Sequence, residues 1–333
     1  MKIFVIAGEA SGDALGAVLI EALHTRTKGT FSGIGGPLMQ EQGLDSLFDY
    51  KELSIMGLVE ILPHIRRLRQ RIAMVIAAIV AQKPDIVLTI DAPGFTSRVV
   101  QGLPKEVRAK RVHLVAPTVW AWKQWRAQKY AQHYDKLLVL FPFEPPYFTQ
   151  YGLDCVFVGH PLADYHFDSK RGKAFRKKHA IGAETKLLGV FAGSRKSEIR
   201  RMLPLYVQAL MRHKPRDLVV VFPTLEHLVP LLEVHLTGLP HRYIIDAVQG
   251  DDRYDAFMAC DGALATSGTV GLELAFAGIP HVIAYRVDSL SAFILRKMVT
   301  TRYAHIFNYM QDAMIIPEYI HEDCTIANLC QAL

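Results

Sequence analysis

Aliphatic and β-branched residues gather along the chain in short runs, and each run ends in Gly, Pro, Asp or Ser, typically before a stretch of helical spacing. IFVIAG, FSGIGG, IVLTID, VHLVAP, LLVLF and VFVGH form a first series, and LLGVFAG, LVVVFP, YIIDAV, GALATS and HVIAY a second. Unbroken apolar runs of this length mark strands buried on both faces, which belong to parallel sheets covered by helices. Helical spacing is clearest over 14–24, over 59–82 with an interruption at Pro63, over 197–212 and over 269–277. The pattern predicts an α/β protein of two Rossmann-like parallel-sheet domains. Between them YHFDSKRGKAFRKKHAIGAET is dense in charge and has no strand pattern, which puts the boundary at its start and the domains at 1–165 and 166–333.

Length agrees, because 333 residues exceed the size at which a single core stops growing. Half the residues are hydrophobic and 21% are charged, which excludes a disordered chain. The four cysteines form no CxxC pair and have no histidine in zinc spacing, so neither a disulfide framework nor a metal site is indicated. KIFVIAGEASGD lacks the ordered basic start, long apolar stretch and cleavage site of a secretory signal, and the expected location is cytoplasmic. The longest apolar run, 72–81, is about half of what a spanning helix needs.

Net charge is +6, but its distribution matters more. Arg66, Arg67, Arg69 and Arg71 form one cluster, eight Lys or Arg stand against one Glu over 98–129, and six fall within 170–178. Such patches attract anionic phospholipid, phosphorylated substrates or nucleic acid. In MGLVEILPHIRRLRQR, Val59, Leu62, Ile65 and Leu68 fall near one helical face and the arginines on the other, as in a helix lying at a membrane interface; a core-facing helix with a solvated back gives the same pattern.

Candidate chemistry collects where strands end. Gly8-Glu9-Ala10-Ser11-Gly12-Asp13 joins a strand to a helix and offers N–H groups and a helix dipole to an anion, or is simply a glycine turn with Ser11 or Asp13 as cap. Gly193-Ser194-Arg195 repeats the design in the second half; Arg195 suits a diphosphate, Glu198 suits a capping box, and Arg200 and Arg201 suit a solvated face. Ser267-Gly268-Thr269 opens a third such turn, with Glu273 one helical turn on as a candidate acceptor of ribose hydroxyls. Asp91 ends IVLTID before Ala92-Pro93-Gly94 and is either a general base at the mouth of the sheet or a turn-forming Asp. His160 reads as a hinge residue, and Trp120, Trp122 and Trp125 with Lys123 and Arg126 form an aromatic, basic strip open to sugar, lipid or core roles.

Taken together, GEASGD, IMGLVEILP, KPDIVLTIDAPGF, PTVWAW, FPFE, VGHPLAD, GSRKSEI and TSGTVGLELA resemble, in order and across nearly the whole chain, the lipid-A-disaccharide synthase family. The resemblance implies a two-lobe glycosyltransferase of the GT-B type with a central cleft, a UDP-2,3-diacylglucosamine donor and a 2,3-diacylglucosamine 1-phosphate acceptor. Joining is expected through a β-1,6 linkage, with inversion and release of UDP, in lipid A assembly. It makes Asp91 the candidate base, Glu9 and Ser11 further catalytic-loop residues, and Gly193, Ser194, Arg195, Glu198, Ser267, Gly268, Thr269, Glu273 and Asn308 donor-site candidates. No metal or other cofactor and no nucleic-acid partner is expected. Peripheral association with the inner membrane is expected through the 59–71 helix and the basic clusters. Family members usually run on past the point matching IHEDCTIANLCQAL, so the resemblance implies a second domain lacking the family's final segment, and HIFNYMQDAMIIPEYI departs from the usual family pattern around Asn308. Rival readings are a UDP-N-acetylglucosamine 2-epimerase or peptidoglycan transferase of the same fold, and a non-catalytic basic scaffold on membrane or nucleic acid.

Overall fold

The computed structural model describes residues 1–53, 65–213, 217–248, 250–266, 268–287 and 298–333. They form two compact units, Met1–Pro161 and Leu162–Leu333. The first is built on seven strands, β1 (Lys2–Ala7), β2 (Thr30–Ile34), β3 (Leu44–Ser46), β4 (Ile86–Ile90), β5 (Lys110–Leu114), β6 (Lys136–Val139) and β7 (Asp154–Phe157). All pair in parallel, in the order β3-β2-β1-β4-β5-β6-β7.

Alternation along β1 shows why the apolar run has to be unbroken. Ile3, Val5 and Ala7 enter one core with Ile20 of the helix Ala10–His24, while Phe4 and Ile6 enter the other with Val75 and Ile79 of the helix Ile65–Gln82. Both faces are covered, and each Ile, Val or Phe among them contributes about 1.5–3 kcal/mol by leaving water.

The second unit holds β8 (Lys186–Phe191), β9 (Leu218–Thr224), β10 (Arg242–Ala247), β11 (Gly262–Ala265), β12 (His281–Tyr285) and β13 (Glu318–Ile320), again all parallel, in the order β10-β9-β8-β11-β12-β13. Its largest core packs Ile199, Met202, Leu203, Tyr206 and Leu210 of the helix Lys196–Arg212 under Val190, Val220 and Phe222. In both sheets the order reverses beside the first strand, between β1 and β4 and between β8 and β11. Those reversals open crevices at the carboxyl ends of the strands, where ligands of such sheets bind.

Several elements depart from the sequence pattern. β3 and β13 are three-residue edge strands too short to show a period. The charge-dense stretch is a helix, Ser169–Lys178, capped by Asp168 accepting from the Lys170 amide at 2.8 Å. Asp91-Ala92-Pro93-Gly94 leads directly into the helix Pro93–Gln101, with proline in its first turn, where the missing N–H is harmless.

The described part of the 59–71 stretch is a core-facing helix with a solvated back, Arg66 and Arg69 being exposed. Leu68, Ile72 and Ile76 pack on the unit's own core, and Arg67 and Arg71 pair with Glu52 at 2.9 and 2.6 Å, Arg71 also lying over Phe48. Residues 59–64 of that stretch, including Val59 and Leu62, lie outside the described residues. Among the described residues no helix is long and apolar enough to cross a membrane.

Candidate functional site

In the first unit the turn after β1 and the turn after β4 meet. A Cβ added to Gly8 would come within 2.9 Å of the Ala92 Cβ, and one on Gly12 within 3.3 Å of Ala7 and 3.6 Å of the Ile90 carbonyl. The glycines therefore allow the start of the helix Ala10–His24 to lie flush on the two strand ends. Glu9 is the N-cap, half-buried, and makes no side-chain cap hydrogen bond; Ser11 is exposed. Neither Ser11 nor Asp13 caps this helix. Asp13 is buried and accepts instead from the amides of Gly36 (2.8 Å), Met39 (3.0 Å) and Leu38 (3.2 Å), capping the helix Pro37–Glu41.

Asp91 and Ala92 are consecutive non-glycine residues in the left-handed region, at φ 46° and 44°. That conformation costs on the order of 1 kcal/mol or more per residue and persists only where neighbours impose it. Here the Asp91 amide donates to the Leu114 carbonyl at 3.0 Å, and buried Thr96 donates to the Asp91 and Ala92 carbonyls at 2.9 and 3.0 Å. Burial pushes the Asp91 carboxyl above the usual carboxylate range, partly offset by a hydrogen bond from the Ala92 backbone. A half-buried carboxylate of raised basicity at a sheet's switch point is suited to take a proton from a hydroxyl.

Beneath this turn lies a polar cluster that no motif announced. Thr89 Oγ1 and His113 Nδ1 are 2.6 Å apart, Thr89 Oγ1 is 3.2 Å from the Tyr134 hydroxyl, and Tyr130 reaches His113 Nε2 at 3.5 Å with its ring stacked on Tyr134. Desolvation drives His113 down to about 3 and Tyr134 up to about 12, so the cluster is neutral. Asp91 is near enough for its charge to raise Tyr130 further.

In the second unit Gly193 sits at φ 111°, and a Cβ there would meet the Glu198 side chain at 2.7 Å. Glu198 reaches back to accept from the Ser194 amide at 3.1 Å and from Arg195 Nη1 at 3.4 Å, a back-reach without the reciprocal bond of the expected capping box. Arg195, Lys196 and Ser197 are exposed at the start of the helix Lys196–Arg212, whose N-cap, Arg195, makes no side-chain cap hydrogen bond. The amide of Thr266 donates to the Phe191 carbonyl at 3.0 Å, so the turn after β11 starts beside the turn after β8. Gly268, at φ 135°, is the N-cap of the helix Thr269–Phe276, and Thr269 is exposed. Ser267 lies outside the described residues. Together the two turns present helix N-termini and a guanidinium to one crevice, an arrangement suited to a diphosphate.

Glu273 is buried, and its Oε1 accepts from Arg253 Nη2 at 2.7 Å and from the Tyr254 hydroxyl at 3.3 Å. Neither partner is singled out in the sequence; together they hold the carboxyl group in place. Tyr285, ending β12, lies in the fields of Glu198, Arg201 and Arg195. Arg201 is half-buried rather than solvated, unlike Arg200.

Asn308, a donor-site candidate, lies in the helix Ile306–Gln311. It is wholly buried; its Nδ2 donates to the Ile316 carbonyl (2.6 Å) and Glu318 Oε1 (2.7 Å), and its Oδ1 accepts from the amides of Ile315 (2.9 Å) and Ile316 (2.8 Å). Two donors and two lone pairs exhaust a carboxamide, so Asn308 clamps the chain ahead of β13. Of the aromatic strip, Trp120 is core against Phe143, Trp122 lies under Lys123, and Trp125 is 60% exposed. His160 lies against Phe141, and burial lowers its pKa.

Solved structures share this architecture. A Staphylococcus aureus MnaA–UDP complex superposes with a TM-score of 0.70 at 16% identity, covering 99% of this chain and 86% of the other. The Neisseria meningitidis UDP-GlcNAc 2-epimerase bound to UDP-GlcNAc gives 0.66 at 12%, covering 100% and 98%, and Acinetobacter baumannii MurG gives 0.55 at 13%, covering 99% and 89%. Two parallel-sheet α/β units with glycine-bearing turns at the strand ends are the fold that this chain shares with these UDP-bound structures. A profile of the family described as lipid-A-disaccharide synthetase matches residues 3–333. The lipid-A-disaccharide synthases of Rhodospirillum centenum and Paramagnetospirillum magneticum are 43% and 42% identical, each over 100% of this chain and over 84% and 87% of their own lengths. The chain belongs to the lipid-A-disaccharide synthetase family, UDP-sugar glycosyltransferases of lipid A biosynthesis.

Proposed function

We propose that the chain transfers 2,3-diacylglucosamine from UDP-2,3-diacylglucosamine to the 6-hydroxyl of 2,3-diacylglucosamine 1-phosphate, giving the β-1,6 disaccharide 1-phosphate and UDP. Asp91 takes the hydroxyl proton as the acceptor oxygen attacks C1 of the α-linked donor, the C1–O bond to UDP breaks, and the configuration inverts in one step without a covalent intermediate. Glu9 and Ser11, on the turn packed against the Asp91 turn, orient the acceptor. Gly193, Ser194, Arg195, Gly268 and Thr269 hold the departing diphosphate, and Glu273, fixed by Arg253, accepts the ribose hydroxyls. Exposed N–H groups and Arg195 supply the positive field that a metal supplies elsewhere, so the reaction runs without a metal ion. Because both substrates carry acyl chains, the enzyme works at the cytoplasmic face of the inner membrane, with Arg66 and Arg69 among the basic residues facing anionic lipid.

The observation that carries this reading is Asp91, strained, half-buried and of raised pKa at the switch point of the first sheet. UDP release from the donor, with and without the acceptor in detergent micelles, tests it. Wild type should release UDP only with acceptor, also in EDTA, and Asp91→Asn should fall by about 10²–10⁴. Acceptor-independent release or undiminished turnover in Asp91→Asn would overturn the reaction or the base, respectively.

A further inference from the structure

A cavity of about 250 Å³ opens on the first unit beside the Asp91 turn. One wall is the helix Pro93–Gln101, which supplies Ser97 and Arg98, and the other is the helix Arg126–His133 with the residue before it, which supply Trp125, Arg126, Lys129 and Tyr130. Three cations line it and, among the described residues, no acidic side chain does. None of the three has a carboxylate within ion-pair distance among the described residues. Their mutual repulsion in one hollow is unfavourable unless an anion answers it. Lys129 and Arg111, besides burial, push His133 towards its neutral form, a sign of a positive field at that end.

The lining also includes Pro93 and Gly94, which follow Asp91 in the chain, and Tyr130, which lies beside Arg126 and within the field of Asp91, so a ligand seated on the cations lies near that carboxylate. The volume lies just below the range of pockets for drug-sized molecules, which fits a monosaccharide head and leaves acyl chains outside. Trp125, largely exposed at the rim, offers a flat apolar face of the kind that stacks on a sugar ring.

We propose that Arg98, Arg126 and Lys129 bind a phosphate monoester here, namely the 1-phosphate of the acceptor sugar, an assignment that rests on the acceptor named above. The dianion meets the cations while the sugar extends towards Asp91. The cavity thereby sets acceptor specificity: a sugar without the phosphate leaves three cations unanswered.

The test pairs a kinetic readout with a binding readout. Arg126→Gln, Arg98→Gln and Lys129→Gln, each checked for an unchanged thermal melt, are assayed with the 1-phosphate acceptor and with its 1-hydroxyl analogue. Each variant should raise KM for the phosphorylated acceptor about ten- to a hundredfold, leave the donor KM alone, and lose the preference over the 1-hydroxyl analogue. Separately, glucosamine 1-phosphate should change the fluorescence of wild type but not of Arg126→Gln or Trp125→Phe. Phosphatidylglycerol vesicles form the other arm: variants that lose vesicle binding but keep the acceptor KM would assign the cavity to a lipid headgroup and overturn the proposal. Acceptor-dependent UDP release with an unchanged acceptor preference in all three variants would also overturn it while leaving the transferase reading intact. A wild type that gives no such release yet binds glucosamine 1-phosphate through Arg126 would keep the phosphate site and remove the transferase reading together with the acceptor assignment.

Discussion

Asn308→Ala separates a structural clamp from a ligand contact. The substitution removes four hydrogen bonds, two donated and two accepted, that tie the residue to Ile315, Ile316 and Glu318. At about 1 kcal/mol net for a neutral bond, rather more for the one to the Glu318 carboxylate and less for the exposed Ile315 amide, the loss is about 4 kcal/mol. Glu318 keeps its bonds from the Ala304 and His305 amides at 2.6 and 2.8 Å, which limits the damage to the approach to β13. For a unit of this size the melting temperature should drop by roughly 10 °C. Differential scanning calorimetry with and without UDP, beside donor KM measured well below the transition, provides the check. A clamp predicts a large fall in melting temperature with donor KM within about twofold in the folded enzyme, whereas a donor contact predicts the reverse. A melt within a degree or two of wild type with a tenfold rise in donor KM would refute the structural assignment.

Asp91→Asn should stabilise the fold while it removes activity: burial raises the folded carboxyl's pKa, so stability is lost as pH climbs from the unfolded value of about 4 through the folded one, and the variant should melt higher than wild type at pH 8 but not at pH 3. Equal melting differences at both pH values would argue against that linkage. His113 gives the opposite sign, being lowered from about 6.5 unfolded to about 3 folded, so it contributes stability above pH 6.5 that is lost as pH falls towards 3, up to about 4–5 kcal/mol; His113→Gln should flatten the acid limb of urea midpoints plotted against pH. Gly193→Ala places a Cβ against Glu198 at a φ that only glycine adopts readily, which should cost about 1–3 kcal/mol and weaken UDP binding in titration calorimetry, with the acceptor KM unaffected.

Much of the architecture was written locally. A strand covered on both faces must be apolar at successive positions, so IFVIAG and LLGVFAG announced parallel sheets, and the small and polar residues closing those runs marked the turns at the strands' carboxyl ends. Asp91, Glu9 and Arg195 were legible for the same reason: each interrupts a pattern at a strand's carboxyl end. The motif blocks carried the family assignment, which matches residues 3–333. Proline in the first turn of the helix Pro93–Gln101 is a start signal visible in the sequence.

What only the tertiary structure decided depends on neighbours distant in sequence. Strand order, set by which register buries the most apolar surface, brought Gly8 against Ala92 and the turn after β8 beside the turn after β11. Asp13, a plausible cap for its own helix, faces the amides of another because β2 pairs beside β1. Asn308 has the same composition whether it meets a ligand or a carbonyl; burial assigned it to the carbonyl. The Thr89–His113–Tyr130–Tyr134 cluster and the cationic cavity above it exist only once β4, β5 and two helices converge. Hydrophobic period is a property of adjacent residues and survives in the sequence, whereas a site built from converging elements is fixed by packing and cannot be read before the chain closes.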